Sequence, residues 1–149
     1  MIIRKAERYD IPGILRMTKE FQDEGLGQYT LGHTDESAEA SITMFVTEQL
    51  AVVAVQDDEP IGVLGGFITP FFFDKDSIVF QEILWYVRKD KRKGGAGVKM
   101  LFKVMEEAKK MGVTHIVMAH TGKVLSDMIG KVYEKLGFEV LETQYIRGL

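Results

Sequence analysis

Apolar positions follow two rhythms along this chain, and each change of rhythm marks the edge of an element. Met1 to Ala6 reads as a short strand, after which Asp10 stands ready to cap a helix that carries Ile11, Ile14, Leu15, Thr18 and Phe21 at helical spacing. Gly25 and Gly27 are expected to stop that helix, and the stretch from Leu26 to Thr34 is irregular. Thr34 or Asp35 is the next cap, ahead of a helix with Ile42, Phe45 and Val46 towards Leu50. LAVVAVQ and IGVLGGFIT, joined by Asp57-Asp58-Glu59-Pro60, read as an antiparallel hairpin of two mostly buried strands. Phe71, Phe72 and Phe73 follow Pro70 in a loop, and the β-branched and aromatic run from Ile78 to Val87 forms a long third strand of the same meander.

The rhythm then turns helical. Val98, Leu101, Phe102, Met105 and Ala108 line one face of a helix that Gly112 ends. HIVMA is a short buried strand, and Leu125, Met128, Ile129, Val132 and Leu136 mark a last helix stopped by Gly137. Phe138 to Ile146 supplies one or two closing strands. With no repeat, linker or low-complexity segment, residues 1–149 are expected to form one mixed α/β (α+β) domain.

Composition narrows the class mainly by exclusion. At 46% hydrophobic and 28% charged, the 149 residues are ordinary for a soluble globular protein with a real core. No apolar run approaches the roughly 20 residues of a membrane span. The opening MIIRKAERYD meets charge too early for a signal peptide. The absence of cysteine excludes disulfides, thiolate zinc sites and a cysteine nucleophile, and fits a cytoplasmic location. A net charge of -3 argues against general nucleic-acid binding, which needs many neutralised phosphates.

One stretch resists this bland picture. Asp90-Lys91-Arg92-Lys93-Gly94-Gly95-Ala96-Gly97 places glycines, each costing about 0.5–1 kcal/mol inside a helix, where an amphipathic helix is about to begin. A strand, a glycine-rich turn and a helix N-terminus together bare several backbone N–H groups and the positive end of the helix dipole. Basic residues at the same spot favour a phosphate or pyrophosphate. The plain alternative is a flexible turn with solvated lysines. Spacing excludes a Walker A loop, because Gly97 precedes Val98-Lys99 and Gly122-Lys123 precedes Val124; it also excludes a dinucleotide fingerprint. Coenzyme A is the remaining pyrophosphate ligand of nucleotide type.

At this point the sequence resembles the GNAT superfamily of acyl-CoA-dependent N-acyltransferases. Arg92-Lys93-Gly94-Gly95-Ala96-Gly97 matches its Arg/Gln-x-x-Gly-x-Gly/Ala signature between the fourth strand and the following helix. Ile3-Arg4-Lys5-Ala6 with Asp10-Ile11-Pro12-Gly13-Ile14 looks like the family's opening strand and helix, and Val132-Tyr133-Glu134-Lys135-Leu136-Gly137-Phe138 like its Tyr-Glu-Lys-x-Gly-Phe segment. The family often has asparagine seven residues before the tyrosine, at the cofactor; Ser126 stands there in this chain.

The resemblance implies a mainly antiparallel twisted sheet flanked by helices, with acetyl-CoA entering between the fourth and fifth strands, and direct transfer of its acetyl group to a primary amine. Backbone N–H groups of Lys93, Gly94, Gly95, Ala96, Gly97 and Val98, with Arg92, would hold the pyrophosphate. The strand edge at Trp85, Tyr86 and Val87 would pair with the pantetheine arm, and an N–H near Tyr86 or Val87 would stabilise the oxyanion. Lys93 and Lys135 are candidates for the 3′-phosphate, against the ordinary reading of solvated lysines.

Glu82, a carboxylate in an apolar strand, is the candidate base; the alternative puts it on the solvent face. Gln81 is a polar stand-in. Tyr133 is the candidate general acid by the resemblance, although an aromatic beside Val132, Ile129 and Leu136 is often core. The histidines, His33, His115 and His120, have no metal-ligand spacing and read as structural or exposed; no metal is expected. Phe71 to Phe73 wall an acceptor cleft, form a dimer contact or pack as a satellite core. Residues 21–45 and 69–77 are the segments expected to line the acceptor pocket. A small amine is the favoured acceptor, with a protein amine or an aminoacyl-tRNA as alternatives. A silent acyl-CoA sensor is the rival of another class, and a homodimer is expected only from the resemblance.

Overall fold

LAVVAVQ has no polar residue before its last position because it runs through the middle of the molecule. In the computed structural model, which describes residues 1–122 and 126–149 and Ser126 by its backbone alone, this segment is strand β2 (Leu50–Gln56). It lies between β1 (Ile2–Lys5) and β3 (Glu59–Phe71); β4 (Asp74–Val87) and β5 (His115–Val117) complete a sheet of order β1-β2-β3-β4-β5. Pairing is antiparallel except between β4 and β5, which run parallel from Val79↔His115 to Gln81↔Val117. Asp57 and Asp58 take positive φ angles of 53° and 62°, the turn that joins two twisted strands through two residues, so Glu59 and Pro60 belong to β3.

Helices cover both faces. On one, α1 (Ile11–Phe21) and α2 (Asp35–Thr47) bury Ile14, Met17, Ile42 and Phe45 against Val53, Val63, Leu84 and Tyr86. On the other, α3 (Ala96–Lys110) sets Met100, Leu101 and Val104 against Val52, Leu64 and Phe80, and Tyr133 of α4 (Ser126–Lys135) packs on the same cluster. Each fully buried aliphatic side chain contributes about 1.5–3 kcal/mol. No helix among the described residues is long and apolar enough to cross a membrane.

Local chemistry explains where the expected boundaries shift. Thr34 caps α2 by accepting the Ser37 N–H at 3.3 Å. Asp10 does not cap α1: its carboxylate takes both terminal nitrogens of Arg4 at 2.6 and 2.9 Å and the Glu7 N–H at 2.8 Å, which ties β1 to the helix. Gly25 does not stop α1 either, because Gln22–Leu26 continues it as a π-helical turn. β5 ends at Val117 rather than Ala119 and is partly exposed, and Leu125 lies outside the described residues. The closing strands expected over residues 138–146 are absent; from Phe138 to Leu149 the chain has no regular structure, and Val140 and Tyr145 stand 89% and 93% exposed.

Candidate active site

Along β4, Phe80, Glu82, Leu84 and Tyr86 are all buried, as if one face of a regular strand were covered. Yet Phe80 belongs to the cluster under α3, and Leu84 and Tyr86 to the cluster under α1 and α2. The change of face comes from a β-bulge, where Gly65 pairs with Leu84 but Gly66 with Glu82, leaving Ile83 over. Gly66 permits it: a Cβ there would lie 2.0 Å from the Gln81 carbonyl oxygen. A bulge bends and twists its strand, and pairing with β5 ends at Gln81, one residue before it. Beyond that point β4 and β5 part, and a cleft of about 680 Å³ opens, lined from both faces of the sheet.

Glu82 lies in this opening, 8% exposed. The Ala119 N–H donates to its Oε2 at 3.0 Å. Loss of water raises its pKa to about 7, and that single N–H offsets only part of the shift. A carboxyl group poised there can take and give a proton near neutrality.

Nearby, the glycine-rich turn delivers the N-terminus of α3 to the same cleft. Gly95 precedes the helix at φ 70°, a left-handed conformation that leads Ala96 into it with no side chain over the first turn. Ala96 is fully buried, whereas Lys93, Gly94 and Gly95 are exposed, and Gly95, Gly97 and Val98 line the cleft. A Cβ on Gly97 would touch the Trp85 ring at 3.5 Å, so its absence leaves the floor of the cleft open. The first N–H groups of a helix have no partner within it, which makes this end a place for an anion.

Arg92 does something else. Its terminal nitrogens bond both oxygens of Glu24 at 2.6 Å each, and its Nε donates to the Val87 carbonyl at 2.9 Å. The guanidinium lies 5.4 Å from the centre of the Tyr86 ring, and the Tyr86 hydroxyl sits 3.3 Å from Glu20 Oε2 and 3.2 Å from Glu24 Oε2. Arg92 holds the Glu24 carboxyl below its usual range, while burial, with Glu24 and Glu20 next, pushes the Tyr86 hydroxyl up to about 12. Because the Arg88 N–H bonds the Ile61 carbonyl at 2.9 Å, the alternation of the ladder turns Tyr86 N–H towards β3 and leaves Trp85 and Val87 facing the open edge.

The Tyr133 ring packs between Trp85 and Phe138, with centroids 5.8 and 5.3 Å away, and its hydroxyl donates to the Ala119 carbonyl at 2.7 Å. Burial, and then the nearby Glu82, raise its pKa above the ordinary phenol range. Ala119 is thus gripped twice, by Tyr133 through its carbonyl and by Glu82 through its N–H.

The profile of the acetyltransferase (GNAT) family matches residues 14–138. The chain belongs to this family. Solved structures share the fold. A transcriptional regulator from Bacillus halodurans C-125 is 20% identical with a TM-score of 0.77, each chain covered over 99%. A ribosomal-protein-alanine N-acetyltransferase from Brucella melitensis biovar Abortus 2308 is 14% identical with a TM-score of 0.74, and the match covers 100% of each chain. An aminoglycoside N-acetyltransferase in complex with CoA is 15% identical with a TM-score of 0.75, covering 99% of this chain and 93% of its own. No curated protein sequence matches the chain.

For a GNAT protein, the sequence located the cleft better than it assigned roles within it. Glu82, Trp85, Tyr86, Val87, Arg92, Gly95, Gly97 and Val98 all line it, as does Gln81. Three expectations change. Arg92 is bound to Glu24 instead of facing the anion end, the Tyr86 N–H points away from the open edge, and Tyr133 directs its proton at Ala119 rather than into the cleft. Ser126 begins α4, but its side chain lies outside the described residues. Phe71, Phe72 and Phe73 are absent from the described lining and form an exposed hairpin tip in which Phe72 stacks on Phe73 and Phe71 meets both at a steeper angle. Glu24, Leu26, His120 and Gln144 line the cleft and were missed as individuals. His120 stacks on Tyr133 at 6.3 Å. The one sequence trace of the Arg92 contact is a matched spacing, with Glu20 and Glu24 four apart on one segment and Arg88 and Arg92 four apart on another.

Proposed function

We propose that the protein is an acetyl-CoA-dependent N-acetyltransferase whose acceptor is a primary amine, and that residues 1–149 act as one such domain. The observation that carries this reading is the union, in one gap of the sheet, of a desolvated carboxyl group with a bare helix N-terminus. The turn fits coenzyme A: the N–H groups of Lys93 to Val98 would hold its pyrophosphate, and the open-edge backbone of Trp85 its pantetheine amides, the Val87 carbonyl being taken by Arg92. When bound, acetyl-CoA supplies a thioester, an acyl group activated towards a neutral amine.

Glu82 then has a definite task. An alkyl ammonium must lose a proton before its nitrogen can bond to carbon, and a carboxylate with a pKa of about 7 removes that proton near neutral pH. Removal directly or through one water serves equally. The Val87 N–H is the open-edge donor suited to a developing oxyanion, in place of Tyr86. Tyr133 acts through Ala119 as a positioning residue, because its bond to that carbonyl fixes the residue whose N–H holds Glu82. A cytoplasmic setting suits a coenzyme A-dependent reaction.

Calorimetric titration with acetyl-CoA, followed by acetyl-CoA-dependent thiol release across a panel of amines, tests the reading. Saturable binding that Gly97→Glu abolishes, together with turnover that Glu82→Gln abolishes, is the expected result. Binding with no turnover on any amine would leave a non-catalytic acyl-CoA receptor instead.

A further inference from the structure

The cleft differs chemically from one face of the sheet to the other. On the α3 and α4 side it meets the helix N-terminus assigned to the coenzyme. On the α1 side it is edged by Phe21, Leu26 and the ring of Tyr86, with Ile83 at the bulge between the two. Ile83 is 48% exposed although it sits in an inner strand, so about half of its aliphatic surface is open to the cleft and solvent.

Charge is scarce on this side. Among the described residues lining the cleft, the charged groups are Glu24, Arg92 and Glu82. Glu24 and Arg92 cancel each other through two bonds of 2.6 Å, and Arg92 is further anchored to the Val87 carbonyl. The Tyr86 hydroxyl is occupied by Glu20 and Glu24. Glu82 has to accept the proton of the reacting nitrogen. A second ammonium group entering here would therefore give up water and find no uncompensated carboxylate, which disfavours a charge left unpaired.

We infer that the acceptor is a primary amine with a single cationic centre on an apolar body, seated against Phe21, Leu26, Ile83 and the ring of Tyr86, and that polycationic amines are poor substrates. The inference rests on the transferase reading above and sets the protein apart from the aminoglycoside enzyme that it resembles in fold.

Heptylamine and hexane-1,6-diamine have the same number of heavy atoms and differ by one ammonium group. Initial rates of acetyl-CoA-dependent thiol release by the full chain should give heptylamine a kcat/KM at least about tenfold higher, even though the diamine offers two reactive ends. Spermidine should fall on the diamine's side. Leu26→Asp, which adds a carboxylate to the wall, should move the ratio towards the diamine by about tenfold. An equal or reversed ratio in the natural protein overturns the inference, and so does an unchanged ratio in a folded Leu26→Asp variant. Should that variant fail to fold, the ratio in the natural protein decides alone. Thiol release that favours polycations leaves the transferase standing and removes this inference only; no release with any amine, despite saturable acetyl-CoA binding, removes both.

Discussion

Two glutamates look into the same cleft and have been pushed in opposite directions. Glu24 meets Arg92 through both oxygens and is held ionised below its usual range, whereas Glu82 has one N–H partner and is driven up to about 7 by the loss of water. The difference shows how a partner and a dehydrated wall divide labour between identical side chains. Glu24 stays ionised at neutral pH and serves as a fastening between the α1 side and the coenzyme turn. Glu82 keeps the choice open, and only a group with that choice can relay a proton at neutral pH.

The largest expected effect breaks the Glu82 side of this contrast. Glu82→Gln should lower acetyl transfer by roughly 10²–10⁴-fold. The natural enzyme should gain rate as pH rises through about 7, because the base works as the carboxylate, and the variant should lose that limb. The sign for stability is reversed. A carboxyl whose folded pKa is raised costs nothing below its unfolded value and of order 3 kcal/mol above the folded one, so melting temperatures of variant and natural protein should diverge in the variant's favour from pH 5 to pH 8.

Next in size is Gly66→Ala. Its methyl group would collide with the Gln81 carbonyl and force the bulge apart, at a cost of at least about 2 kcal/mol in urea unfolding, with loss of acetyl transfer even where the variant folds. Glu24→Gln should cost roughly 1–3 kcal/mol, less than a fully buried pair because the Glu24 side chain is 25% exposed. Its folded pKa lies below normal, so the contribution is present above the unfolded pKa and fades as pH falls through the folded one; the gap in melting temperature should close in acid.

Tyr133→Phe is the smallest change, about 1 kcal/mol of stability for one hydrogen bond. It also sharpens the contrast, because a loosened Ala119 should release Glu82 and shift the rising limb of the pH profile upward. An acid acting on the leaving thiol would instead give a defect that shrinks with acyl donors of more acidic thiols and leaves that limb in place.

Such contrasts were only partly legible in the chain. Helices α1 to α4 and the meander are legible from spacing and turn chemistry, which are local, although the face expected of α3 is shifted: Phe102 and Met105 are exposed, and Met100 and Val104 are buried beside Leu101 and Ala108. The bulge does not, since it depends on Gly66 meeting Gln81 across the ladder, and the buried run Phe80, Glu82, Leu84, Tyr86 imitates regular alternation. Glu82 was legible as an oddity among apolar neighbours. Arg92 looked like a phosphate ligand because its glycine neighbours are adjacent in sequence, whereas Glu24 comes near only after folding. The tail after Gly137 carries the β-branched and aromatic residues of a strand, Val140, Thr143, Tyr145 and Ile146, but without a neighbouring edge to complete its hydrogen bonds that composition specifies nothing.

Where the bulge sits has a consequence for how this protein could be altered. The opening in the sheet is a backbone feature secured by Gly66, Glu82 and Ala119, while the outer part of the acceptor wall, Phe21 and Leu26, is borrowed from the end of α1 and the π-helical turn that continues it. The opening and this outer part of the wall share no residue; Ile83, at the bulge itself, is part of both opening and wall. The chemistry can therefore be inherited intact while that part of the wall is rewritten, and a library confined to positions 21 and 26, with Glu24 left to hold Arg92, would explore new acceptors on an unchanged engine.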